Sequence, residues 1–178
     1  VFGLVGSEMC IRDRKKCLAV TPYYNKPSQK GLELHYTELS KVGAEIILYN
    51  VPGRTGVDLL PTTIEKLIEI KTIAGIKEAV NTEERFLALS KIKDKRQDFQ
   101  LYSGDDPSYV EFMKFKGDGV ISVAANVMPR EIKELSNLCL AGNFIEAEKT
   151  IKNYQEIFKL LFTESSPSPC KFILEKLS

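Results

Sequence analysis

Tryptophan is absent, His35 is the only histidine, and the four cysteines, Cys10, Cys17, Cys139 and Cys170, form no CxxC pair. Zinc of the structural kind is therefore not expected, and neither is a disulfide framework. Free thiols fit a reducing cytosol, which is the expected location. No excess of charge is present either, with 25 Lys and Arg against 24 Asp and Glu, so the basic footprint of a nucleic-acid binder is missing. No apolar run approaches the roughly 18 residues that span a bilayer. A GxGxxG turn is missing after the first apolar run, which argues against a dinucleotide fold.

The N-terminal residues are apolar from Val1 to Val5 and then basic at Arg12, Arg14, Lys15 and Lys16. A secretory signal has the reverse order, so export is not expected. The string Glu8-Met9-Cys10-Ile11-Arg12-Asp13-Arg14 resembles translated sequencing-adapter DNA. Residues 1–14 are accordingly expected to be foreign, and the genuine protein to begin near Lys15 or Lys16.

What is present is a chain of 178 residues, 43% apolar, enough for one domain with a core. Five short apolar runs read as buried strands: Cys17–Thr21, Glu45–Tyr49, Ile73–Lys77, Phe99–Tyr102 and Gly119–Ser122. They are rich in Val and Ile and apolar on both faces, the pattern of parallel strands covered on both sides. Between them lie helical stretches over 28–42, from Pro61, over 82–93 and over 106–116, with Gly43 and Gly117 as stops. A step of roughly 25 residues between strand starts is one βα unit. After the fifth strand only helices follow, over 129–141, 143–161 and 167–176. Five βα units suit an open doubly wound sheet or part of a (β/α)8 barrel. Tyr23, Tyr24, Tyr49, Lys77, Asp105 and Asp106 all follow strands, and in a barrel those positions open on one catalytic face. The expected fold is therefore α/β: a partial barrel over 15–128, then a helical region over 129–178. A complete barrel takes about 250 residues, so about three units are not represented.

Lys77 ends the third strand. In the mouth of a closed apolar barrel, desolvation would disfavour its ammonium, and a neutral amine attacks a ketone to form an imine. The alternative is a surface lysine paired with Glu78. Tyr49 ends the preceding strand, where a phenol can shuttle a proton or simply pack. Pro52 and Gly53 form a tight turn that could hold Arg54 at the mouth, its fork suited to a carboxylate, or leave it facing solvent. Tyr23 and Tyr24 are a plug, an interface anchor or part of a site. Asp105 and Asp106 resemble half a metal site but suit a helix cap better. His35 lies inside the first helix and reads as structural or solvated. An aromatic hydroxyl, an arginine and a lysine at successive strand ends suit capture of a small keto acid.

These residues sit in strings that resemble the dihydrodipicolinate synthase family. They are Val20-Thr21-Pro22-Tyr23-Tyr24-Asn25-Lys26-Pro27-Ser28-Gln29, Leu48-Tyr49-Asn50-Val51-Pro52-Gly53-Arg54-Thr55-Gly56 and Gly75-Ile76-Lys77-Glu78-Ala79, followed in order by Ser103-Gly104-Asp105-Asp106 and Gly119-Val120-Ile121-Ser122-Val123. The resemblance implies strands four to eight of the barrel and a homotetramer that condenses pyruvate with aspartate semialdehyde in lysine and diaminopimelate biosynthesis. No cofactor is implied, because the imine serves as electron sink. Lys77 would form the imine, Tyr49 would relay protons, and Tyr24 would reach across an interface with Tyr23 into a neighbour's site. Arg54 would bind the semialdehyde carboxylate, and the backbone of Ile121 would contact pyruvate. The family's threonine pair and lysine feedback site fall in strands outside this chain. The alternatives are a sugar-acid aldolase with the same lysine and tyrosine, and an inactive piece of the synthase. Relatives that cleave sialic acid usually lack the arginine matching Arg54.

Overall fold

The computed structural model describes residues 16–177. The expected foreign segment, with Cys10, lies outside them. The described residues divide into two compact units, the first ending at Tyr102 and the second beginning at Ser103.

The first unit opens with β1 (Lys16–Val20) and continues through α1 (Gln29–Leu39), β2 (Glu45–Asn50), α2 (Pro52–Thr55), α3 (Pro61–Leu67), β3 (Ile73–Glu78) and α4 (Glu83–Lys95). β4 (Gln100–Ser103) carries the chain across the unit boundary. These strands lie side by side in the order β1-β2-β3-β4, and β1–β2 and β2–β3 are parallel. Two of the first unit's helices, α1 and α4, start where a side chain supplies a partner for a free amide. Ser28 accepts from Gly31 N at 3.2 Å and Thr82 from Arg85 N at 3.3 Å. Gly43 ends the first helical stretch at φ 85°, a conformation that only glycine adopts without cost. Leu32 and Tyr36 of α1 are fully buried, and the Tyr36 hydroxyl donates to Ala19 O of β1 at 3.2 Å. All six residues of β3 are buried, as a central parallel strand requires.

The β2–β3 register contains a shift. Ile46 pairs with Ile73, but the next residue, Ile47, pairs with Gly75, and Ala74 is left over. From there the register runs on as Leu48 with Ile76, Tyr49 with Lys77 and Asn50 with Glu78. One surplus residue inverts the facing of everything after it. Gly75 also lets β4 approach, because a Cβ at that position would stand 2.5 Å from Gln100 O.

The second unit holds β5 (Gly119–Val120), α5 (Tyr109–Lys114), α6 (Pro129–Leu140), α7 (Phe144–Lys152), α8 (Gln155–Leu160) and α9 (Ser168–Leu177). Tyr109, Ala124, Leu135, Ala147, Phe158 and Leu161 belong to its core. Two expectations need correction here. The stretch 143–161 is two helices, broken at Asn153-Tyr154, where Asn153 N bonds Thr150 O and Tyr154 N bonds Ile151 O in tightened turns. The stretch 106–116 shortens to α5, because residues 105–108 are occupied by side-chain turns. At its far end the left-handed residue is Lys116 (φ 64°), one before the expected Gly117. Gly117 serves close packing instead, since a Cβ there would meet the Phe112 ring at 2.7 Å. Among the described residues, no helix is long and apolar enough to cross a membrane.

Arg96 clamps the far end of the first unit. Its guanidinium donates to the carbonyls of Ile68 (2.9 Å), Ile70 (3.2 Å), Lys71 (3.0 Å) and Ile73 (2.8 Å), which run from the end of α3 to the first residue of β3. Replacing Arg96 with Ala strands several carbonyls at once and is expected to cost about 2 kcal/mol. A urea midpoint that falls with an unchanged slope checks this, and an unmoved midpoint would refute it.

Candidate active site

The ends of β1, β2 and β3 build the site. Val20 pairs with Tyr49 and Tyr49 with Lys77, so the three side chains share one face of the sheet. Lys77 is 9% exposed, and its Nζ stands 4.3 Å from the centroid of the Tyr49 ring. A cation over a ring face is attracted by the ring quadrupole, which holds the two groups together. Burial raises the Tyr49 phenol above its ordinary value, and the nearby Arg54 charge partly opposes this. A phenol that keeps its proton beside an amine is suited to donate it.

Arg54 reaches the same place by a route that differs from expectation. Pro52 and Gly53 do not make a simple tight turn; residues Pro52–Thr55 form a single helical turn, α2. Pro52 presets the first helical position, and Gly56 closes the turn at φ 68° with its N–H on Pro52 O at 2.9 Å. Thr55 is buried and its hydroxyl lies 2.9 Å from Val57 O. Arg54 thus stands exposed on a braced turn. It lines an open hollow of about 410 Å³ with Leu18, Val20, Tyr23, Tyr49 and Val51. A larger hollow, about 540 Å³, lies in the second unit and is lined by Leu160, Glu164 and Phe172 among others. It holds no tyrosine or arginine, whereas the strand-end hollow is lined by Tyr23, Tyr49 and Arg54 and is the better candidate despite its smaller size.

The remaining expected residues fall elsewhere. Tyr23 borders the hollow while 65% exposed, and Tyr24 is 94% exposed and does not line it. Ile121 belongs to the second unit, where its N–H donates to Ser103 O at 2.9 Å. Asp105 accepts from Ser108 N at 3.1 Å and braces the entry to α5. Asp106 reaches forward and accepts from Val123 N (3.1 Å) and Ala124 N (2.9 Å), holding the loop after β5. No group of three or more His, Cys, Asp or Glu side chains among the described residues is arranged to hold a metal ion. His35 is exposed and meets the Tyr36 ring edge-on at 5.1 Å.

Sequence reasoning missed the polar cluster on the opposite face of the same strand ends. Asn50 Nδ2 donates to Asp58 Oδ1 (2.7 Å) and lies 3.0 and 3.2 Å from the two carboxylate oxygens of Glu78. Leu59 N donates to Asn50 Oδ1 at 2.9 Å, and Val80 N to Glu78 Oε1 at 2.8 Å. Arg85 of α4 donates to Leu59 O (2.9 Å), pairs with Asp58 and approaches Glu78 at 3.5 Å. Glu78 therefore faces Asn50 and Arg85, on the side of the sheet away from the hollow. Its signal in the sequence was a carboxylate continuing an apolar strand, one residue beyond the lysine.

The comparisons with known proteins agree on one family. A model of the dihydrodipicolinate synthetase family matches residues 14–178. The 4-hydroxy-tetrahydrodipicolinate synthase of Buchnera aphidicola subsp. Schizaphis graminum is 43% identical over 162 residues, covering 90% of this chain and 54% of the relative. That of Methylococcus capsulatus is 44% identical over 162 residues, covering 90% and 55%. Among solved structures, the dihydrodipicolinate synthase of Thermotoga maritima superposes with a TM-score of 0.86 at 37% identity, covering 90% of this chain and 56% of that one. The Acinetobacter baumannii synthase, solved with pyruvate, gives 0.85 at 38%, covering 92% and 56%. The chain spans about half the length of the curated relatives it matches.

Burial pushes the Glu78 carboxyl up to about 7 from its ordinary 4.5, against the pull of Arg85. The folded chain then holds this proton to higher pH than the unfolded one. Stability from the group is full below the ordinary value and is lost as pH rises through about 7. The melting temperature of the wild type, relative to Glu78→Gln, is therefore expected to fall between about pH 5 and about pH 8. A constant difference across that range in thermal melts would contradict it.

Proposed function

The chain belongs to the dihydrodipicolinate synthetase family, and from that premise we propose that the whole protein condenses pyruvate with aspartate semialdehyde through an imine on Lys77. The observation that carries this reading is the Lys77 amine held 4.3 Å over the Tyr49 ring at adjacent strand ends, with Tyr49 and Arg54 both lining the hollow there. The Lys77 nitrogen attacks the pyruvate ketone, water leaves, and the protonated imine withdraws electrons from the adjacent methyl carbon. Loss of a proton there yields an enamine, whose carbon forms the new bond to the semialdehyde carbonyl. Tyr49 carries protons to and from these centres, and Arg54 holds the semialdehyde carboxylate in a fork.

The same reading makes residues 15–128 strands four to eight of a (β/α)8 barrel and 129–178 its helical extension. The backbone of Ile121 then borders the pyruvate moiety. The high exposure of Tyr24, beside Tyr23, suits an interface across which Tyr24 serves a neighbouring copy, in a homotetramer located in the cytoplasm. The dihydrodipicolinate synthase of one solved structure is described as a monomeric variant, so assembly is to be measured directly.

Two measurements on the full-length protein test the proposal. Borohydride reduction in the presence of pyruvate is expected to add one reduced pyruvate to the intact mass, and Lys77→Ala to abolish the addition. Arg54→Ala is expected to raise KM for aspartate semialdehyde about 10- to 100-fold, as loss of a charge-assisted pair implies, with trapping of pyruvate unchanged. Turnover with a sugar acid and none with aspartate semialdehyde would reject the synthase reading.

A further inference from the structure

Tyr49 and Lys77 are each followed by a polar side chain that is almost wholly buried, Asn50 at 0% and Glu78 at 1% exposure. The register pairs Asn50 with Glu78 one step beyond Tyr49 with Lys77. The Asn50 amide and the Glu78 carboxylate therefore form a side-chain rung between β2 and β3, 3.0 and 3.2 Å long, directly behind the two reactive groups. The rung is fixed further at both of its ends. Asn50 is held by Asp58 and Leu59, Glu78 by Val80 N, and Arg85 of α4 closes the ring onto Asp58, Leu59 and Glu78.

From this arrangement we propose that Glu78 is a positioning residue for the imine chemistry, acting through the Asn50 rung to hold the Lys77 amine against Tyr49. The inference rests on the reading of Lys77 given above. Its physical basis is register. β3 carries a surplus residue at Ala74, and without it Lys77 would pair with Asn50 and turn to the helix-covered face. Apolar residues alone do not oppose that slip strongly, because Ile76 and Lys77 are flanked by strands that are apolar on both faces. A carboxylate does oppose it. Glu78 finds an amide, a backbone N–H and a guanidinium only on the face it now occupies. Buried ionic groups contribute little net stability compared with well-packed apolar ones, and selection of one arrangement is the best-attested reason to keep them.

The test is made on the full-length protein by rate of borohydride trapping as a function of pyruvate concentration, at a temperature well below every variant's melt. Glu78→Gln keeps the Asn50 and Val80 contacts and loses the charge toward Arg85. Glu78→Leu loses them all. The expected order of maximal trapping rate is wild type, then Gln, then Leu, with Leu down about 100-fold, as displacement by about 1 Å implies, and with half-saturating pyruvate unchanged. Arg96→Ala, destabilised but with its β3 contact at Ile73, the opposite end of the strand from Lys77, is the control and is expected to trap at the wild-type maximal rate. Trapping by Glu78→Leu at the wild-type rate would overturn the proposal. So would a loss in Arg96→Ala equal to that in Glu78→Leu, since rate would then only follow stability. If Glu78→Leu does not fold, Glu78→Gln decides the matter, a lowered maximal rate supporting the proposal and a wild-type rate overturning it. Failure of the wild type itself to trap pyruvate would instead refute the imine reading, and the positioning role with it.

Discussion

The surplus residue at Ala74 is the constraint on which the candidate site depends. Strand side chains alternate, so two residues on neighbouring strands meet only if their parity agrees. Ile46 and Ile73 start in step, and a regular ladder from there would set Tyr49 opposite Ile76. The shift between Ile46 and Ile47 moves Lys77 into that place. A lysine that would have been driven into the layer under the helices is turned instead onto the face of Tyr49, within 4.3 Å of its ring. Gly75, next to the surplus residue, keeps the crowded strand compatible with β4 by leaving room for Gln100 O.

The same parity places two kinds of polar chemistry back to back. On one face stand an amine, a phenol and, from α2, a guanidinium, all bordering an open hollow or buried beside it. On the other, Glu78, Asn50, Asp58 and Arg85 neutralise and bond one another under α4. Isolated buried charges cost several kcal/mol each, and this cluster offsets that cost with partners for nearly every donor and acceptor. It also reaches outward. Gln29 of α1 donates to Asp58 O at 2.7 Å and accepts from Thr63 at 2.6 Å and Leu60 N at 3.2 Å. The loop that carries Asp58 is thus tied to two helices before it meets Asn50. The braced turn at Arg54 ends at Val57, next in the chain to this pinned loop.

Much of this was legible in the residues. The strands appear where short apolar runs recur, and parallel pairing of β1, β2 and β3 follows from connections too long for hairpins. The candidate trio of Tyr49, Arg54 and Lys77 stood out because each member ends an apolar run or sits just past one. The break at Asn153-Tyr154 was hidden for a definite reason. The buried positions Ala147, Ile151, Phe158 and Leu161 keep helical spacing straight through it, so the apolar pattern carries no mark of the interruption. The one-turn helix at Pro52–Thr55 was hidden because four residues are too few to show a period. The cap of the following helix was read as Asp105 or Asp106; Asp105 braces that entry, whereas the Asp106 carboxylate serves backbone amides 17 and 18 residues onward.

By itself the sequence determined the strands, the order of βα units, the residue types at each strand end and the family to which the chain belongs. These are local properties, set by hydrophobic period and by motifs a few residues long. Only the tertiary structure decided that Lys77 faces Tyr49, that Glu78 faces Asn50 and Arg85, and that Tyr24 stands out from its own hollow. The first two depend on pairing between residues far apart in the chain, and a single unpaired residue in one strand is enough to reverse the outcome. Apolar periodicity cannot register that, because β3 is buried on both faces and reads the same in either alignment.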